Sequence, residues 1–175
     1  MPLLIAHRGL VDGPDRFKEN SLTALLSARS QGFDVEVDVW YDNYNFYVGH
    51  DDPMWQADIE TLKSIGNVEN DPTSHIWIHC KNINALAAFQ ELSSFRCNYF
   101  FHENDPITLT NNGYVWTFPG KQLTSNSICV MPEWTYSLKE ISAMYSYGFC
   151  SDYVSTLKDI FEPVMSRPSN TTWRS

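Results

Sequence analysis

The run Asp34-Val35-Glu36-Val37-Asp38-Val39 constrains this chain more than any other feature. Valine and carboxylate alternate with a period of two, the signature of a β-strand, because successive side chains of a strand point to opposite faces. Val35, Val37 and Val39 therefore share one face, and Glu36 and Asp38 share the other. If the valines pack outward against helices, the two acids point inward, where like charges repel. A divalent cation between them relieves that repulsion, and Mg²⁺ and Ca²⁺ are hard ions that take oxygen ligands. A solvated polar strand face fits the same pattern when it is seen alone.

The rest of the chain supplies partners for such a strand. Leu3 to Ala6, Ile76 to Ile78, Asn98 to Phe101, Tyr114 to Phe118, Ile128 to Met131 and Phe149 to Tyr153 also read as strands. Asp42-Asn43 and Asn45 turn the chain into a short hairpin at Phe46-Tyr47-Val48. Helices are expected from Leu22 to a stop at Gly32, with Asn20 and Ser21 as caps, and over Ala57 to Ile65, Ile83 to Leu92, Leu138 to Tyr145 and Leu157 to Met165. Alternating strands and helices predict an α/β fold, a trimmed (β/α) barrel of the TIM type with about seven or eight parallel strands. The chain has 175 residues, short for that fold, and helices are largely lacking between Phe101 and Met131. One domain is expected over residues 1–166, with a loose Pro/Ser/Asn/Thr-rich tail over 167–175.

Composition narrows the function. The 43% of hydrophobic residues supply a core, and the net charge of −9, with no two Lys or Arg residues adjacent, argues against nucleic acid as a partner. No apolar stretch approaches the roughly 20 residues of a membrane span, so stable membrane insertion is not expected. Cys80, Cys97, Cys129 and Cys150 lie far apart without a CxxC pair, which predicts buried free thiols and a cytoplasmic protein.

Several polar residues fall at strand ends, where barrel enzymes hold their sites. His79 and Lys81 repeat the two-residue spacing of Glu36 and Asp38. A neutral imidazole would complete a metal shell, and a lysine ammonium would meet a substrate phosphate. His79 taken alone fits a hydrogen-bonded core histidine equally well. His7 and His50 follow two different strands and would divide general acid and base work, while Arg8 offers a bidentate fork for phosphate. Trp116, His102 and Glu133 stand at later strand ends, where packing competes with a role on the leaving-group side.

Ile5-Ala6-His7-Arg8-Gly9, Glu19-Asn20-Ser21, Glu36-Val37-Asp38-Val39 and Val48-Gly49-His50-Asp51 together resemble the glycerophosphodiester phosphodiesterase family, within the phospholipase-C-like phosphodiesterase barrels. The resemblance is dense over residues 3–52. Further on, His79-Cys80-Lys81 stands where the family has an acid, any residue and lysine, and Cys150-Ser151-Asp152-Tyr153 looks like its final-strand Thr-Asp motif. The resemblance implies a phosphoric diester hydrolase of lipid metabolism acting on a small phosphodiester. Glu36, Asp38 and His79 would hold a divalent metal, His7 and His50 would be catalytic, Arg8 and Lys81 would bind phosphate, and Glu19 would orient Arg8 or His7. Mg²⁺ or Ca²⁺ is the expected ion. Histidine in place of the family's third carboxylate shifts the preference toward Mg²⁺, Mn²⁺ or Zn²⁺. Two other outcomes stay open: a lyase that forms a cyclic phosphate from a phospholipid headgroup, and an inactive barrel that binds a phosphorylated ligand.

Overall fold

The computed structural model describes residues 1–67, 71, 73–92 and 94–162. The element order is β1 (Leu3–Ala6), α1 (Leu22–Ser30), β2 (Asp34–Asp42), β3 (Asn45–Val48), β4 (Trp55–Ala57), α2 (Ile59–Gly66), β5 (Ile76–Cys80) and α3 (Ile83–Glu91). Then come β6 (Asn98–Phe101), β7 (Ile107–Leu109), β8 (Val115–Thr117), β9 (Ser127–Val130), α4 (Leu138–Ser142), β10 (Gly148–Ser151) and α5 (Val154–Phe161). Side chains cap four of the five helices at their N-termini: Ser21, Asp58, Asn82 and Ser137 each accept from the backbone N–H three residues on.

All ten strands belong to one sheet, ordered β4-β3-β2-β1-β10-β9-β8-β7, with β5 on the other edge of β2 and β6 beyond it. The expected trimmed parallel barrel is not what forms. Three of the nine strand pairings, β2 with β3, β3 with β4 and β7 with β8, are antiparallel, so the sheet is mixed. Among the described residues β6 pairs only with β5, which leaves the sheet a curled half-barrel rather than a closed ring. The cause lies in residues 102–126, where Pro106, Gly113, Pro119, Gly120 and several asparagines favour turns over a helix. The chain makes the β7–β8 hairpin there. Asn111 joins it to β6, accepting from the Tyr99 N–H through Oδ1 at 2.8 Å and donating its own N–H to the Tyr99 carbonyl at 3.0 Å.

The two faces of the sheet carry two cores. On the convex side Val35, Val37 and Val39, all fully buried, pack with Leu25 and Ala28 of α1, Leu62 of α2 and Phe89 of α3. Burying one valine is worth about 1.5–3 kcal/mol, so this face fixes the register of β2. On the concave side Ile5, Trp77, Phe100, Trp116, Ile128 and Cys150 form a second cluster. All four cysteines are buried free thiols. The tail over 167–175, and the part of the last expected helix past residue 162, lie outside the described residues. No helix among the described residues is long and apolar enough to cross a membrane.

Candidate metal centre and its histidines

The parallel ladder between β2 and β5 builds the centre. Glu36 is registered with Trp77 and Asp38 with His79, so the second acid and the imidazole are cross-strand neighbours on the concave face. Glu36, Asp38 and His79 each present a ligand atom, and these atoms lie within 4.8 Å of one another. His79 Nδ1 lies 3.0 Å from Asp38 Oδ1, whereas its Nε2 is buried with no partner. An imidazole held at one nitrogen with the other idle in a buried carboxylate cluster fits a cation ligand. Two carboxylates and one imidazole suit a hard or borderline divalent ion.

Arg8 sits in the left-handed region at φ 52° and donates its backbone N–H to Glu36 Oε2 at 3.0 Å. Gly9 makes that bend possible, because at φ 76° it lies against α1, and a Cβ there would stand 2.8 Å from the Leu25 nitrogen. The Arg8 side chain donates from Nη1 to Glu19 Oε2 at 2.9 Å. Its Nε lies 3.1 Å from Asp38 Oδ2 at an angle too poor for a hydrogen bond, so that pair is coulombic. Lys81 Nζ is 3.5 Å from Asp38 Oδ1. Burial alone would push the Asp38 carboxyl up, but the His79 hydrogen bond and the charges of His79, Lys81 and Arg8 hold it well below the usual carboxylate range. Glu36 moves the other way, raised by burial and then by the neighbouring Asp38.

His7 continues from β1, and its Nδ1 is 2.8 Å from Asp152 Oδ1 just past β10. Burial would lower its pKa, but the Asp152 hydrogen bond and the Glu36 charge outweigh burial and raise it. His50 follows Gly49, whose N–H donates to the Asp38 carbonyl at 3.2 Å and whose carbonyl accepts from Trp40 Nε1 at 2.7 Å. A Cβ on Gly49 would meet the Asp52 carbonyl, so glycine is required for the return. His50 Nδ1 is 2.6 Å from Asp51 Oδ1. Burial lowers its pKa, with Asp38 opposing and Arg8 and Lys81 assisting.

Sequence reasoning assigned the metal ligands, both catalytic histidines, Arg8, Lys81 and Glu19, but gave no such role to Asn20, Asp152 or Asp51, which sits on His50. Asn20, expected as a helix cap, is fully buried at φ 60°. It donates from Nδ2 to Asp38 Oδ2 at 3.0 Å and accepts the Asp38 N–H through Oδ1 at 2.9 Å. Ser21 alone caps α1. Asp152 carried no role in the sequence reading, although it fixes His7. Both sit beside residues with stronger signals, and only the left-handed tolerance of asparagine hints at the first. His102 stacks on His79 with centroids 4.5 Å apart, and burial pushes its pKa down to about 4.

A cavity of about 860 Å³ opens at the other end of the sheet between Met1, Phe33, Tyr147 and Phe161, away from this cluster. Fold and site together define a curled mixed sheet with a carboxylate–imidazole centre at the C-terminal ends of its strands. Comparison with protein-family models, curated proteins and solved structures finds no match to the chain.

Proposed function

We propose that this protein is a metal-dependent phosphodiesterase that cleaves small, glycerophosphodiester-like substrates. The observation that carries the reading is the convergence of Glu36, Asp38 and His79 within 4.8 Å, with the buried His79 Nε2 idle. A divalent cation held there would polarise a non-bridging phosphoryl oxygen and offset charge in the transition state. Mg²⁺ and Mn²⁺ suit the mixed donor set, with Ca²⁺ and Zn²⁺ as comparators.

The other roles follow from the side chains. Asp152 occupies His7 Nδ1 and Asp51 occupies His50 Nδ1, which leaves Nε2 of each ring for proton transfer. His50 deprotonates the attacking water, and His7 hands a proton to the departing alkoxide. Lys81 and Arg8 contribute positive charge beside the phosphate. We place the protein in the cytoplasm, because four buried free thiols suit a reducing compartment.

The test is release of p-nitrophenol from bis(p-nitrophenyl) phosphate, with each of the four metals or a chelator, by the natural protein and by His7→Ala. Metal-dependent turnover that falls at least about a hundredfold in His7→Ala is the expected result. A folded protein inactive with every metal, or a fully active variant, would overturn the assignment.

A further inference from the structure

The cavity of about 860 Å³ at the end of the sheet opposite the metal centre is lined by Leu3 and Leu4 of β1, Phe33 just before β2 and Tyr147 just before β10. Met144, past the end of α4, and Phe161, the last residue of α5, complete its apolar wall. The volume falls within the roughly 300–1,000 Å³ of small-molecule sites. Apolar walls standing in water are unfavourable, and a hydrocarbon chain laid against them removes more of that surface with each methylene.

One lysine stands at this wall. Lys158 of α5 lines the cavity with its ammonium 5.7 Å from the centre of the Phe33 ring, whose face favours a cation there. Glu162 Oε1 is 3.6 Å from that ammonium, beyond hydrogen-bond reach, so Lys158 keeps its donors for another acceptor. The two side chains are 39% and 51% exposed, so a group arriving from solvent reaches them. Apolar walls beside a reachable ammonium suit an amphiphile with an anionic head. That head carries a single charge, because Glu162 and the net charge of −9 repel a phosphate dianion and no second Lys or Arg lines the cavity.

We propose that this cavity binds a medium- or long-chain carboxylate, with its head on Lys158 and its hydrocarbon against Leu4, Phe33 and Phe161. The site is separate from the metal centre and does not depend on the phosphodiesterase reading.

The test is calorimetric titration of decanoate, 1-decanol and decylammonium, each below its micelle or solubility limit, into the full chain. One decanoate per chain is expected, bound about fivefold or more tightly than decanol, with decylammonium weaker still. Lys158→Gln should bring decanoate and decanol within about twofold of each other, and Lys158→Arg should keep the preference. Absence of decanoate binding, as when a second copy or the residues past 162 fill the cavity, overturns the proposal. Decanol or decylammonium bound as tightly as decanoate, or a preference unchanged in Lys158→Gln, overturns it too. If Lys158→Gln does not fold, Glu162→Gln takes its place. That variant frees Lys158 of its competing carboxylate, so tighter decanoate binding is expected, and equal or weaker binding refutes the site.

Discussion

Asn20→Ala removes the two bonds that clamp Asp38 to the loop before α1. The Asp38 N–H, in a side chain and backbone that are fully buried, loses its acceptor, which costs about 1–3 kcal/mol. Its carboxylate loses a charge-assisted donor at 3.0 Å, a further ~1.5–3 kcal/mol. Alanine also takes the left-handed φ of 60° less readily than asparagine does. With about 1 kcal/mol for that backbone penalty the total is about 3.5–7 kcal/mol, a large share of the ~5–15 kcal/mol by which a domain is typically stable. Urea unfolding should show the midpoint falling with little change of slope. Asn20→Gly loses the same bonds without the backbone penalty and should be about 1 kcal/mol less destabilised than Asn20→Ala. A loss under ~1 kcal/mol in Asn20→Ala would refute the clamp.

Two further outcomes follow from ionisation. His50 must be neutral to accept a proton and its pKa is lowered from 6.5, while His7 must be protonated to donate one and its pKa is raised from 6.5. The kcat/KM profile of the natural protein should therefore rise through a pKa below 6.5 and fall through one above it, and a profile without the alkaline fall would contradict the role of His7. At the other end of the sheet, His75 Nδ1 lies 2.7 Å from Asp34 Oδ1, and that hydrogen bond, against opposing burial, raises the His75 pKa above 6.5. Its contribution to stability is fully present below 6.5 and is lost as pH rises through the folded value. Urea midpoints of the natural protein should fall over that window relative to those of His75→Ala, and parallel curves would exclude the linkage.

The strand β2 was legible because its alternation assigns both faces, and the valines do pack on helices as that alternation requires. The equal two-residue spacing in Glu36/Asp38 and His79/Lys81 anticipated a pair of strands with matching concave faces, and the ladder puts Asp38 beside His79. Pairing direction was legible for β2 with β3, where the turn at Asp42-Asn43 announces the hairpin, and not for β3 with β4 or β7 with β8. Alternation reads the same in parallel and antiparallel ladders, and the three-residue strands β4 and β7 are too short to show a period. Those two strands and the hairpin over β7 and β8 turn the expected parallel barrel into a mixed, open sheet. In the site, chemistry-bearing side chains stood out by type, whereas Asn20 acts through its backbone conformation and burial.

The most direct test is calorimetric titration of Mn²⁺ into the natural protein and into Glu36→Gln and His79→Ala, with folding of each verified by circular dichroism. One ion per chain, with affinity weakened about tenfold or more in both folded variants, is the predicted result. Failure of the natural protein to bind, or binding that both variants leave unchanged, would contradict a metal centre at Glu36, Asp38 and His79.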